Sequence, residues 1–120
     1  MSNRFEERNV GRVNLSVKVV NVVAGADDIE ILAAPGAGKR YRVYGVVITQ
    51  QGTAAADFLV RFEDNKDVLG AIVPNDGTPV TDKLNGQYVE GDTNQGLDVD
   101  VENQASDDAT IVVYHTVEED

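Results

Sequence analysis

The chain has 120 residues, with 10 Lys and Arg against 21 Asp and Glu, a net charge of −11 and no cysteine. A chain of that length makes one domain with one core. The missing thiols exclude a disulfide framework and a thiolate metal site, and the acidic balance argues against gripping nucleic acid by its phosphates.

The first stretch, residues 1–12 (MSNRFEERNVGR), is polar. It mixes Arg4, Arg8 and Arg12 with Glu6 and Glu7 around the apolar Phe5, and it reads as an arm outside the core rather than a leader peptide. Residues 13–23 (VNLSVKVVNVV) interleave Val with polar residues and predict a strand. Gly25 and Asp27-Asp28 turn the chain, and Ile29 to Leu32 predicts a second, short strand. Residues 39–50 (KRYRVYGVVITQ) are β-branched and aromatic, the strongest strand signal in the chain, with Gly45 placed for a bulge or close approach. Phe58, Val60 and Phe62 alternate with Leu59, Arg61 and Glu63, so one face is buried and the other solvated. After a polar tip at Asp64–Asp67, Val68 to Val73 returns as a hairpin partner.

Pro74-Asn75-Asp76-Gly77 is a turn cluster, and a looser stretch runs from there through Tyr88. Residues 97–102 (LDVDVE) alternate strictly, with Leu97, Val99 and Val101 inward. Ser106-Asp107-Asp108 turns into a last strand from Thr110 to Val117, and residues 118–120 read as an acidic tail outside the core. No segment holds a 3.6-residue apolar period, and no apolar run approaches the roughly 18 residues of a membrane span.

About seven to eight short strands separated by turns predict an all-β, single-domain sandwich over residues 13–117; jelly-roll connections are one form it can take, an immunoglobulin-type domain without the Cys…Trp…Cys signature is the close competitor, and the strand order does not follow from the pattern. The charge is unevenly spread. All ten basic residues lie in residues 1–83 with eleven acids, and the ten acids of residues 84–120 have no Lys or Arg among them. One end or face is therefore expected to carry a concentrated negative field.

Candidate chemical sites fail on their own requirements. Gly36-Ala37-Gly38-Lys39-Arg40 lacks the first Gly and the final Ser or Thr of a phosphate loop, with Ala33 and Arg40 in those places, and a strand rather than a helix follows. It reads as a turn. His115 is the only histidine, and none of Ser2, Ser16 and Ser106 sits in a nucleophile elbow. Asp98, Asp100 and Glu102 stand roughly 6–7 Å apart on one strand face, a flat row rather than a calcium cage. Asp92-Thr93-Asn94-Gln95-Gly96 lacks the ligands that would complete a calcium loop. No catalytic residue, metal ligand or cofactor site is expected, and the chain reads as a non-enzyme.

The segment from Ile31 through Pro35-Gly36-Ala37-Gly38-Lys39-Arg40 to Ile48 resembles a pattern in small structural proteins of tailed bacteriophages. In these an apolar strand enters a Gly-Lys-Arg turn and then a long Val-rich strand. The likeness continues more weakly at Glu90–Asp92, Leu97–Val101 and Val112–Val117. It implies a virion component of β-sandwich or jelly-roll form, made in the host cytoplasm and carried on the outer surface of the head. The preferred role is a capsid decoration (cement) protein, with the major capsid protein or other virion proteins as partners, a trimer by analogy, and neither nucleic acid nor membrane. Arg4, Phe5, Arg8 and Arg12 are then the partner-binding residues of the arm. The alternative is a carbohydrate- or receptor-binding module of a phage fibre or tail, with Tyr88 as the stacking group.

Overall fold

The computed structural model describes residues 15–22, 28–51, 54–83, 87–102 and 109–120. The arm residues Arg4, Phe5, Arg8 and Arg12 lie outside this set. Among the described residues there is no helix, hence none long and apolar enough to cross a membrane.

Among the described residues nine strands follow in chain order: β1 (Ser16–Val22), β2 (Asp28–Leu32), β3 (Lys39–Gln50), β4 (Ala56–Phe62), β5 (Asp67–Val73), β6 (Val80–Lys83), β7 (Val89–Glu90), β8 (Leu97–Glu102) and β9 (Ala109–Glu119). Sheet I has the order β1-β9-β3-β6, with β7 pairing β3 beyond the end of β6; sheet II has the order β2-β8-β4-β5. Every pairing is antiparallel. Apart from the β4–β5 hairpin and the β6–β7 step, each connection crosses from one sheet to the other. The β-sandwich is as expected; with β7 set aside as an addition to β3, these two four-strand orders are those of a jelly roll rather than of an immunoglobulin-type domain.

The core is built from alternate positions of both layers, as two facing sheets require. Val22, Tyr41, Val43, Val46, Ile48, Ile111 and Val113 come from sheet I, and Ile31, Phe58, Val60, Phe62, Val73, Leu97, Val99 and Val101 from sheet II. Phe58 and Phe62 are the largest of the fully buried side chains, and truncating such a residue typically costs about 3–5 kcal/mol. Gln50 is the polar exception near the end of β3. Its Nε2 donates to Val73 O at 2.7 Å and Ala54 O at 3.1 Å, tying the β3–β4 connection to β5.

The β2–β3 turn is the turn expected at Gly36–Arg40. Gly36 and Gly38 have φ of 113° and 75°, in the region glycine favours, and Lys39 N donates to Gly36 O. The Asp92–Gly96 loop closes the same end of the sandwich. Asn94 N donates to Lys39 O at 2.7 Å, its Oδ1 accepts from Gly36 N at 2.9 Å, and Gly96 N donates to Glu63 Oε1. Those bonds give the loop a structural job.

Two readings need correction. The stretch taken as loose after Gly77 contains β6 and β7, whose few residues are too short for an alternation to show. Residues 118–120 lie outside the core as expected, but they are not a free tail. Glu118 and Glu119 pair with Arg40 and Lys39 in β9, and Asp120 N donates to Gly38 O. The acids extend the strand because basic residues stand opposite them.

Gly91 follows β7 and is packed against the core. A Cβ there would lie 2.6–2.9 Å from the ring of Phe62, which is fully buried and has no room to withdraw. Gly91→Ala is therefore expected to destabilise the fold by about 1–3 kcal/mol, the usual cost of overpacking, measured as a lower midpoint in denaturant. An unchanged midpoint would show that this end of the sandwich yields.

Candidate functional site on the outer face of sheet I

On β3 the side chains of Arg40, Arg42 and Tyr44 point outward while Tyr41 and Val43 are buried. The register with β9 shifts between Val43 and Gly45, leaving Tyr44 as the extra residue of a β-bulge. Past the bulge the parity reverses: Val46, Ile48 and Gln50 point inward and Val47 and Thr49 outward. Tyr114 lies over Gly45, its Cδ2 3.5 Å from where a Cβ would stand. The bulge thus aims Tyr44 outward without losing either valine from the core.

The outer face runs from apolar to charged along the strands. Val19, Val112 and Val47 stand opposite one another across β1, β9 and β3, and Val17 stands opposite Tyr114. Val17 and Val19 are 55% and 57% exposed, and Leu15 continues their row. They lie on β1, an edge of sheet I whose one charge is Lys18. Edge strands are commonly protected by charges, and here two valines lie open instead.

Toward the other end lies Tyr88, 43% exposed, with the Arg42 guanidinium carbon 4.4 Å above its ring centre and the Tyr44 ring 5.3 Å away. Arg42 Nε donates to Glu90 Oε2 at 2.7 Å, which fixes the guanidinium over the ring. Arg40 bonds Asp120 through Nε at 2.8 Å and reaches Thr93 Oγ1 at 3.1 Å, while Thr93 donates to the other Asp120 oxygen at 2.6 Å. Glu118 lies 3.9 Å from Arg42. Hydrogen bonding to Glu90 raises the pKa of Arg42, and that to Asp120 raises the pKa of Arg40. In return Arg42 lowers that of Glu90, and Thr93 with Arg40 lowers that of Asp120.

Tyr88 is thus part of a cluster, and its partners Arg42, Tyr44 and Glu90 were not singled out from sequence. The alternation Arg40-x-Arg42-x-Tyr44 carried a signal that these share a face; which strands lay opposite did not follow from it. His115 sits on the inner side of β9, edge-on to Tyr41 at 5.6 Å. Among the described residues its Nδ1 has no hydrogen-bond partner, and burial lowers its pKa. Among the described residues no group of three or more His, Cys, Asp or Glu could hold a metal ion.

No protein-family model matches the chain, and no curated protein does. Among solved structures it is similar to the C-terminal domain of EclA, described as a sugar-binding protein. That likeness has a TM-score of 0.48 and 20% identity over 88% of this chain and 81% of that one. A structure of infectious bursal disease virus, Gx strain, overlaps 85% of this chain and 41% of its own with a TM-score of 0.17 and 12% identity. At these values neither likeness carries an argument, and the jelly-roll assignment rests on the strand order.

The Arg–carboxylate network has a pH signature. Glu90 and Asp120 hold their protons less tightly folded than unfolded, so their contribution is present above the ordinary carboxylate range and is lost as pH falls through and below about 4. Glu90→Gln is expected to shrink the fall in thermal midpoint between about pH 5 and pH 2. Equal slopes for the two proteins would contradict the pairing.

Proposed function

We propose that the chain is a non-enzymatic structural module of a tailed-phage virion, a head decoration protein that assembles with copies of itself through the outer face of sheet I. The observation that carries the assembly is the open apolar row of Val17 and Val19 on edge strand β1, with Leu15 just before it, continued by Val112, Val47 and Tyr114. A contiguous apolar surface beside a charged border is the anatomy of a protein interface. The virion setting is supported by the likeness of residues 31–48 to small phage structural proteins, and the jelly roll is a form that capsid and lectin domains both use.

Light scattering is expected to give an oligomer, with a trimer preferred. Val17→Lys with Val19→Lys should lower the mass to that of one chain while leaving the circular dichroism spectrum of the folded sandwich unchanged, because both side chains are exposed in the single chain. A wild-type monomer at every concentration and salt level, or an unchanged oligomer in the double variant, would overturn the assembly.

One observation favours a second reading, a carbohydrate-binding module: an exposed tyrosine held between a tyrosine and a charged guanidinium suits a sugar ring. A glycan array should then give a binder that Tyr88→Ala loses. An array without binders, or a binder that the variant keeps, removes this reading.

A further inference from the structure

The outer face of sheet II has the opposite character. β2 contributes Asp28 and Glu30, β8 contributes Asp98 and Asp100, and β4 contributes Asp57, the register placing Asp28 beside Asp100 and Glu30 beside Asp98. Arg61 is the one cation among the described side chains of this face, 3.9 Å from Asp100. Across β4 and β5 the face carries a groove beside Gly70, whose partner Leu59 brings its Cδ1 to 3.4 Å from where a Cβ on Gly70 would stand. The groove has a volume of about 420 Å³ and is lined by Leu59, Gly70, Ala71 and Ile72, with Asp57 and Asp100 at its sides. Ile72 is 68% exposed, the most open large apolar side chain described.

An apolar slot between carboxylates fits an aromatic side chain flanked by cations. Residues 1–12 hold that pattern: Arg4-Phe5, then Arg8 and Arg12, ahead of β1. We propose that this segment of one copy docks on the outer face of sheet II of a second copy, with Phe5 in the groove over Gly70 and Arg4 and Arg8 against Asp57 and Asp100. The inference rests on the assembly reading above and adds the second surface by which copies would join.

Geometry favours a second copy over the chain's own groove. Ser16 opens β1 opposite His115, level with Val43 in the first half of β3, whereas Asp57 and Ile72 lie toward the far end of the strands, where Gln50 meets Val73. β1 also lies beside β2, and the groove is at the opposite edge of sheet II. Phe5 would have to reverse direction and travel ~20 Å along the strands, ~10 Å between sheets and ~14 Å across three strand spacings. Ten extended residues reach at most ~36 Å, so a path around the surface consumes the whole segment. The face also lacks cations for its charge: burial, and then repulsion from Asp28, Glu63 and Glu30, raises the pKa of Asp98. Incoming guanidinium groups would relieve that repulsion.

The chain has no cysteine, so disulfide trapping in the full-length protein is a direct test. Phe5→Cys combined with Ile72→Cys should form a disulfide-linked dimer or higher species on mild oxidation, and Asp57→Cys in place of Ile72→Cys should give the same product. Phe5→Cys with Val19→Cys, on the other sheet, should give at least tenfold less, and 1 M salt should reduce the trapped product by screening the arginines. A product confined to single chains, or equal trapping at Val19, overturns the proposal. An oligomeric F5C/I72C chain that yields no disulfide overturns the arm placement and leaves assembly through sheet I standing. A chain that is monomeric by light scattering and yields none overturns both.

Discussion

Much of the molecule depends on the pairing of β3 with β9, eleven registered residue pairs from Lys39–Glu119 to Gln50–Ala109. That ladder joins the first long strand to the last, so the segments between must wrap across to sheet II and back, which produces the jelly-roll order. It also sets which side chains face out. One added residue, Tyr44, lets Val43 and Val46 both point inward while Arg42 and Tyr44 both point outward. Without the bulge, one half of β3 would turn its apolar residues to solvent.

The two outer faces divide the charge differently from what the linear sequence suggested. The acids of residues 84–120 were expected to gather on one end or face. In the structure Glu90, Glu118 and Asp120 are gathered around Arg40 and Arg42 on sheet I, where each sign has a partner. Asp98 and Asp100 join Asp28 and Glu30 on sheet II, with Arg61 beside Asp100. One face is therefore electrically matched and partly apolar, and the other is acidic with an apolar groove. In the proposed assembly such contrast gives specificity, because two acidic faces repel each other while a cationic segment is drawn to them.

The fold was legible where the period was strong. Residues 39–50 became β3 with its stated bounds, LDVDVE became β8, and Gly45 marked the bulge because the apolar alternation of KRYRVYGVVITQ breaks there. β6 and β7 were not legible: two to four residues held by pairing with β3 show no period of their own. The end of β9 was hidden because Glu118, Glu119 and Asp120 look like a solvated tail until Lys39 and Arg40 are seen opposite them. The site was legible only at Tyr88. Its neighbours come from strands separated by more than forty residues, and only the register brings Glu90 to Arg42. The apolar outer side of β1 was similarly ambiguous, since a Val-rich strand does not say which of its faces is covered.

The proposed assembly puts the open valines of β1 in an interface between copies. Hydrogen exchange measured across a range of protein concentrations tests it most directly. The amides of Ser16–Val22 are expected to become more protected as concentration rises, while those of β6 on the opposite edge of sheet I stay unchanged. Exchange in β1 that is independent of concentration, in a range where the mass shows assembly, would place the interface elsewhere and contradict the account.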